Sequence, residues 1–381
     1  MSHTRQSTTG AVAGSGPAAV SSPQVDTPGT PRAGALAELT PGRLLAAIVL
    51  LGAVLRFATL GTQSLWADEG FTAKIAGHSL ASAVSQVPHT ESTPPVYYAL
   101  AWIWAHLFGT SAFMLRSLSA LFGTATVWAV YWAAAALSTR RVALVAALIT
   151  AVSPIMVWYS QEARAYALML LLVVLALGCF IRALAEPRPR WLIGWAVCSA
   201  AALATHYFAV FPLAVEAAWL LVSLRARRDL LAALAIPAVV GAALIPLVLY
   251  QKAHVPRPWT SVFTVPDQLK AIVQSFLVGI TWTPLTHRAG VAALAVLAAL
   301  AVAALVRRGE RDERRAGLLV AGLAIVSAGV PVVISLIGTN YLAPRNVLYA
   351  WPMLALLVAL GAGRRGAGRM TAVALVVGCA V

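Results

Sequence analysis

Residues 43–60, RLLAAIVLLGAVLRFATL, are followed within a few positions by Trp66-Ala67-Asp68-Glu69-Gly70. Past Arg43 the first stretch is apolar except for Arg56, and its length approaches the roughly 20 residues that span a bilayer. The second stretch places two adjacent carboxylates just beyond that span, in a chain with only 13 acidic residues among 381. A helix that crosses the membrane and delivers acids to one water boundary is the pattern that organises the rest of the chain.

Composition extends this reading to the whole chain. Hydrophobic residues make up 60% and charged residues 11%, with a mean hydropathy of +0.81, whereas soluble domains carry about 25% charged residues. The apolar runs are rich in Ala and Leu and lack the alternation of a barrel strand, so the expected class is an all-α polytopic membrane protein. The net charge of +15 comes from arginines in short links between apolar runs. It reports topology and argues against a nucleic-acid partner. Cys179, Cys198 and Cys379 all lie in apolar segments without metal-ligand spacing and read as small core residues.

Residues 1–42 are built from Ala, Gly, Ser, Thr and Pro, a composition that cannot offset the entropy of ordering. They are expected to form a disordered cytoplasmic tail, with residues 43–381 as the transmembrane domain and an outer loop at about 61–113. No cleavable leader is visible, so the first span is read as an uncleaved anchor. Candidate spans are 43–60, 114–137, 142–159, 163–184, 191–205, 207–224, 230–250, 289–306, 317–338 and 347–363. A further apolar run from Met370 to Val381 is too short to cross, which suggests a truncated C-terminus or an interfacial segment.

The links alternate in charge. Arg140-Arg141, Arg188 with Arg190, Arg225 with Arg227-Arg228, the run Arg307 to Arg315, and Arg364-Arg365 with Arg369 form one set, assigned to the cytoplasm by the positive-inside rule. The intervening links carry Asp68, Glu69, Glu91, Gln161, Glu162, His206, Asp267 and Asn340 and are assigned outside. The alternation requires that residues 94–109 do not cross. Their aromatic content (Tyr97, Tyr98, Trp102, Trp104) suits a helix lying flat at the interface.

Five outer features carry candidate chemistry. Asp68 and Glu69 suit deprotonation of a hydroxyl, and permit Mg²⁺ or Mn²⁺ without requiring it. Glu91, in His89-Thr90-Glu91-Ser92-Thr93-Pro94-Pro95, suits a sugar, a metal or a cap on the surface helix. Tyr159-Ser160-Gln161-Glu162-Ala163-Arg164-Ala165-Tyr166 gathers polar groups where two spans meet, a position that marks functional candidates by default. His206 lies in the polar break Thr205-His206-Tyr207-Phe208. Arg345, in Tyr341-Leu342-Ala343-Pro344-Arg345-Asn346, is an outward arginine suited to a lipid phosphate, as is Arg116 one turn into the second span. No nucleotide-binding fingerprint is present, which favours a lipid-linked donor.

These motifs, in this order, resemble the family 39 glycosyltransferases, which comprise the protein O-mannosyltransferases, their bacterial relatives and the lipid A aminoarabinose transferases. The resemblance runs from about Leu55 to Trp351. Its most specific parts are Trp66-Ala67-Asp68-Glu69, Thr93-Pro94-Pro95-Val96-Tyr97-Tyr98, Leu115-Arg116-Ser117-Leu118-Ser119-Ala120-Leu121-Phe122-Gly123, and Tyr159-Ser160-Gln161-Glu162-Ala163-Arg164. It implies a GT-C fold with surface helices over 71–109 and a polyprenyl-phosphate sugar as donor, mannose being the first candidate. The acceptor would be a hydroxyl on a protein, glycan or lipid, attacked with inversion. Asp68 falls where the family has its proposed base, with Glu69 beside it, and Arg116 where an arginine opens the second span. Glu91, Gln161, Glu162, Arg164, Tyr166, His206 and Arg345 join Arg116 as expected donor-binding groups. The chain departs from the family in Thr93, where many relatives carry His, and in Asn346, where Tyr is frequent. The competing reading is a transporter or flippase, which would show internal repeats and polar groups at mid-membrane. A third is an assembly subunit without catalysis, which would tolerate loss of Asp68.

Overall fold

A computed structural model describes residues 40–254, 259–280 and 284–363. The tail 1–39 and the run from Met370 to Val381 lie outside the described residues, as does Cys379. Among the described residues there are helices and turns but no strands.

The first span is α1, Pro41–Phe57. Three short helices follow: α2, Ala67–Ala76; α3, Leu80–Thr90; and α4, Val96–Phe108. Then come α5, Ala112–Leu137; α6, Arg140–Val152; α7, Pro154–Ser160; α8, Tyr166–Ala185; and α9, Pro189–Thr205. The second half holds α10, Val210–Leu224; α11, Arg228–His254; α12, Val265–Val278; α13, Pro284–Arg308; α14, Arg311–Ile337; and α15, Trp351–Ala362. Six described helices are long and apolar enough to cross a membrane, and a seventh span results if α6 and α7 are counted together. Three expected spans, 43–60, 191–205 and 347–363, form shorter helices of 17, 17 and 12 residues.

The helix α8 is the axis of the bundle. It is buried along most of its length and packs on α5, α9 and α10, whereas α11 and α13 turn most of their apolar surface outward, as lipid-facing helices do. The expected continuous span 142–159 is instead broken, with α6 and α7 meeting at 61°. Pro154 has no N–H to give the Thr150 carbonyl, so the ladder cannot continue there. Arg56 fills the break. Fully buried, it donates from Nη2 to the Thr150 carbonyl at 3.1 Å, from Nη1 to the Ala151 and Gly52 carbonyls at 3.0 Å each, and from Nε to Ser160 Oγ at 3.1 Å. The one charge within the apolar part of the first span is therefore the group that satisfies the broken helix beside it.

Both ends of α4 lie at the same end of the bundle. The Gln251 amide donates to the Thr93 carbonyl just before α4, while Trp104 Nε1 donates to the Met114 carbonyl at the start of α5. The segment 94–109 therefore does not cross. With α2 and α3 it forms a layer across the bundle, and the links carrying Arg140, Arg188, Arg227 and Arg311 fall at the opposite end. Among the described residues the two sets of links therefore fall at opposite ends of the bundle, while Arg364, Arg365 and Arg369 lie outside the described residues.

Close helix contact depends on small residues. A Cβ on Gly123 of α5 would stand 2.0 Å from Ser160 Oγ and 2.5 Å from Ser160 Cβ. Gly123→Ala must therefore push α7 away and strain the Arg56–Ser160 bond, at a cost of about 1–3 kcal/mol. The expected outcome is a lower thermal midpoint of the purified protein in detergent; an unchanged midpoint would refute this packing.

Candidate active site

Beyond α1, residues 60–64 form a loop that has no regular partner of its own, and Arg116 of α5 binds it. Nη1 donates to the carbonyls of Leu60 (3.0 Å) and Gln63 (2.7 Å), and Nη2 to that of Ser64 (2.9 Å). Its other donors meet Glu69 as a fork, Nε to Oε1 at 2.8 Å and Nη2 to Oε2 at 2.5 Å. All five guanidinium N–H groups are thereby used. Glu69 is fully buried and also accepts from the backbone N–H of Trp66 (3.2 Å) and of Ala163 (2.8 Å). This saturation corrects two expectations. Glu69 offers no free lone pair to a hydroxyl or a metal ion, and Arg116 has no donor to spare for a lipid phosphate. Together they act as a staple joining the first loop, α2, α5 and the α7–α8 turn.

A second buried pair plays the same part. Arg164 Nη1 donates to Glu91 Oε1 at 3.0 Å, and its Nη2 lies 2.9 Å from Glu91 Oε2. Arg164 also donates to the Asp68 carbonyl at 3.0 Å, which fixes the start of α2, while Tyr98 Oη donates to Glu91 at 2.6 Å. Glu91 and Arg164, expected to touch the donor, stand behind the wall of the site rather than on it. His206 and Tyr166 lie there too, with ring centres 5.4 Å apart. His206 Nδ1 accepts from the Phe208 N–H at 3.3 Å and caps the turn before α10. Burial, with Arg164 and Arg345 adding to it, pushes its imidazole down to about 3, so it is neutral. Gln161 is also committed locally, donating to the carbonyls of Leu55 and Arg56 and to Thr59 Oγ1 at the end of α1.

A cavity of about 1180 Å³ opens at this end of the bundle, and Glu69, Arg116 and Gln161 are among the residues that border it. Asp68 and Arg345 meet on its wall at 3.1 Å, with side chains 33% and 21% exposed, more open than the buried Glu69–Arg116 pair beside them. Glu162 also lines it. Its Oε1 accepts from Trp158 Nε1 at 2.7 Å, while Oε2 is buried without a partner. Burial pushes this carboxyl up to about 7; the Trp158 N–H and Arg345 oppose the rise, Glu69 adds to it, and Arg164 opposes it again. Among the described residues, no three His, Cys, Asp or Glu side chains gather as metal ligands.

The cavity's far wall had no counterpart in the sequence expectations, which left most of 251–288 unassigned. Here α12 is an amphipathic helix capped by Thr264, whose Oγ1 accepts from the Asp267 N–H. Asp267, Ala271 and Ser275, spaced by one turn each, face the cavity with Gln268. The available signal was the Thr264-x-x-Asp267 cap followed by apolar residues at helical spacing.

Residues 92–251, under half of the chain, match the family model described as dolichyl-phosphate-mannose-protein mannosyltransferase. That segment holds Arg116, Glu162 and Arg164, while Asp68 and Arg345 lie outside it. Among solved structures, ArnT from Cupriavidus metallidurans bound to undecaprenyl phosphate matches with a TM-score of 0.62 at 18% identity, over 84% of this chain and 60% of that one. The Archaeoglobus fulgidus oligosaccharyltransferase in complex with Zn and sulfate matches at 0.50 and 14%, over 88% and 53%. No curated protein sequence matches the chain. The protein is thus a multi-pass helical membrane protein with the GT-C fold. The sequence likeness to that mannosyltransferase family model is confined to residues 92–251, and the chain spans about 60% of the length of ArnT.

The Glu162 carboxyl makes a testable pH signature. Its folded value near 7 lies above the ordinary carboxyl value, so the folded protein holds the proton more tightly. Stability is then full below the unfolded value, falls as pH rises, and levels off above about 7, a change on the order of 3 kcal/mol. The thermal midpoint in detergent should fall from about pH 5 to pH 8 in the natural protein and flatten in Glu162→Gln. Identical profiles for the two would refute the assignment.

Proposed function

We propose that the protein transfers a sugar, with mannose as the first candidate, from a polyprenyl-phosphate donor to a hydroxyl on an extracytoplasmic protein, glycan or lipid. The observation that carries this reading is the Asp68–Arg345 pair. It is the ion pair on the cavity wall with both side chains partly exposed; Glu69–Arg116 also borders the cavity but is buried with every bond filled, and Glu91–Arg164 is not among the lining residues. The 92–251 family match and the GT-C fold support it.

The donor phosphate competes with Asp68 for the Arg345 guanidinium, whose planar donors suit phosphate oxygens. Arrival of the phosphate frees the Asp68 carboxylate, which accepts the proton of the acceptor hydroxyl as its oxygen attacks the sugar's anomeric carbon. The bond from that carbon to the phosphate oxygen breaks, its electrons stay with the phosphate, and Arg345 stabilises the charge that develops. A single displacement inverts the anomeric centre. Because Asp68 is paired with Arg345, donor binding is the first step. Turnover compared with and without a chelator reports whether Mg²⁺ or Mn²⁺ joins Asp68.

Positive-inside charge supports a plasma-membrane protein with the N-terminus cytoplasmic and the cavity outside. With the native cysteines replaced, an impermeant maleimide added to intact cells should label Gly70→Cys, which is exposed on α2, and spare Ala226→Cys at the opposite end. The reverse pattern would overturn the sidedness.

Asp68→Asn should lose about 10²–10⁴-fold in turnover from polyprenyl phosphomannose while keeping affinity for bare polyprenyl phosphate. Arg345→Ala should weaken binding of that bare lipid roughly ten-fold or more. Full turnover in Asp68→Asn would refute the assignment of the base.

A further inference from the structure

The cavity has a polar wall that the transfer chemistry leaves unused. Gln268 on α12 is only 4% exposed, and its side-chain amide nitrogen has no hydrogen-bond partner. On the adjoining wall Glu162 is 7% exposed, and its Oε2 is likewise buried and unpartnered. Both line the cavity that holds Asp68 and Arg345. Each buried polar group left unpaired costs about 1–3 kcal/mol. Two such groups on one cavity mark a place where a ligand, rather than the protein, completes the bonding.

The chemistry of the pair selects that ligand. An amide N–H donates, and a carboxyl oxygen accepts, so a hydroxyl group satisfies either one. A ring bearing several hydroxyls satisfies both at once. Position selects the source of the ring. The helix α12 packs against α7 and against the short 3₁₀ turn Pro344–Asn346 that carries Arg345. A sugar joined to a phosphate held at Arg345 therefore falls beside α12. We infer that Gln268 and Glu162 form the subsite for the donor's sugar ring, hydrogen-bonding its hydroxyls. This rests on the donor reading above and adds the residues that would discriminate a glycosylated lipid from a bare one.

The test is equilibrium binding in detergent, without acceptor, to bare polyprenyl phosphate, polyprenyl phosphomannose and polyprenyl phosphoglucose. The natural protein should hold at least one glycosylated lipid more tightly than the bare one. Gln268→Ala and Glu162→Ala should each lose roughly five- to ten-fold in affinity for that glycosylated lipid, the size of a lost hydrogen bond to a buried polar group. Affinity for the bare lipid should be retained, which also shows that the variants are folded. Glu162→Gln, which keeps a side-chain carbonyl, should recover most of the loss. Equal weakening toward glycosylated and bare lipids, no weakening, or a natural protein that does not distinguish them would overturn the subsite while leaving the donor reading in place. A natural protein that binds none of the three lipids would overturn the donor reading itself.

Discussion

The five donors of Arg116 are the constraint on which the functional end of this protein depends. The loop after α1 has carbonyls and no ladder to receive them, and a single guanidinium collects three of these while its remaining N–H groups fork onto Glu69. Glu69 in turn reaches the backbone of Trp66 and Ala163. Loop, surface helix, span and the α7–α8 turn thus meet at one buried pair. Removing one partner of such a pair costs about 3–5 kcal/mol, because the other charge is left buried and uncompensated.

Ionic groups at this end divide by exposure, and exposure divides their work. Two arginine–glutamate pairs are buried with their bonds filled and hold the frame; one arginine–aspartate pair is partly exposed on the wall of the cavity. In the proposed reaction the Asp68–Arg345 pair exchanges partners while the buried pairs keep theirs. Preorganisation of this kind is what a charge-separating reaction needs from its surroundings.

The break between α6 and α7 has the same logic in reverse. Pro154 interrupts a span inside the bundle, where unpaired carbonyls have no water to turn to. Arg56 supplies the missing donors, and the bend aims Trp158 and Glu162 at the cavity. A continuous helix through this region would have carried those side chains elsewhere. The break is thus tied to the placement of a carboxyl that burial pushes up to about 7.

Hydropathy fixed the class, the approximate spans and the surface course of residues 94–109, since apolar length and arginine placement are properties of the linear chain. The same arithmetic made 142–159 one span, because it counts apolar residues and does not ask what a proline leaves unpaired. Scarcity of acids singled out Asp68, Glu69, Glu91 and Glu162 alike. Which arginine each would meet is a matter of distances between segments as far apart as Asp68 and Arg345, which no local pattern encodes. The sequence by itself therefore determined that this is a helical membrane protein in which Asp68, Glu69, Glu91 and Glu162 lie in links that alternate with the arginine-rich ones. Only the tertiary structure decided that Glu69 and Glu91 are fully paired with arginines, that Asp68 and Glu162 line the cavity, and that α12 borders it with Gln268. The physical reason is that a carboxylate's role is set by the donors that reach it, and those arrive from remote parts of the chain.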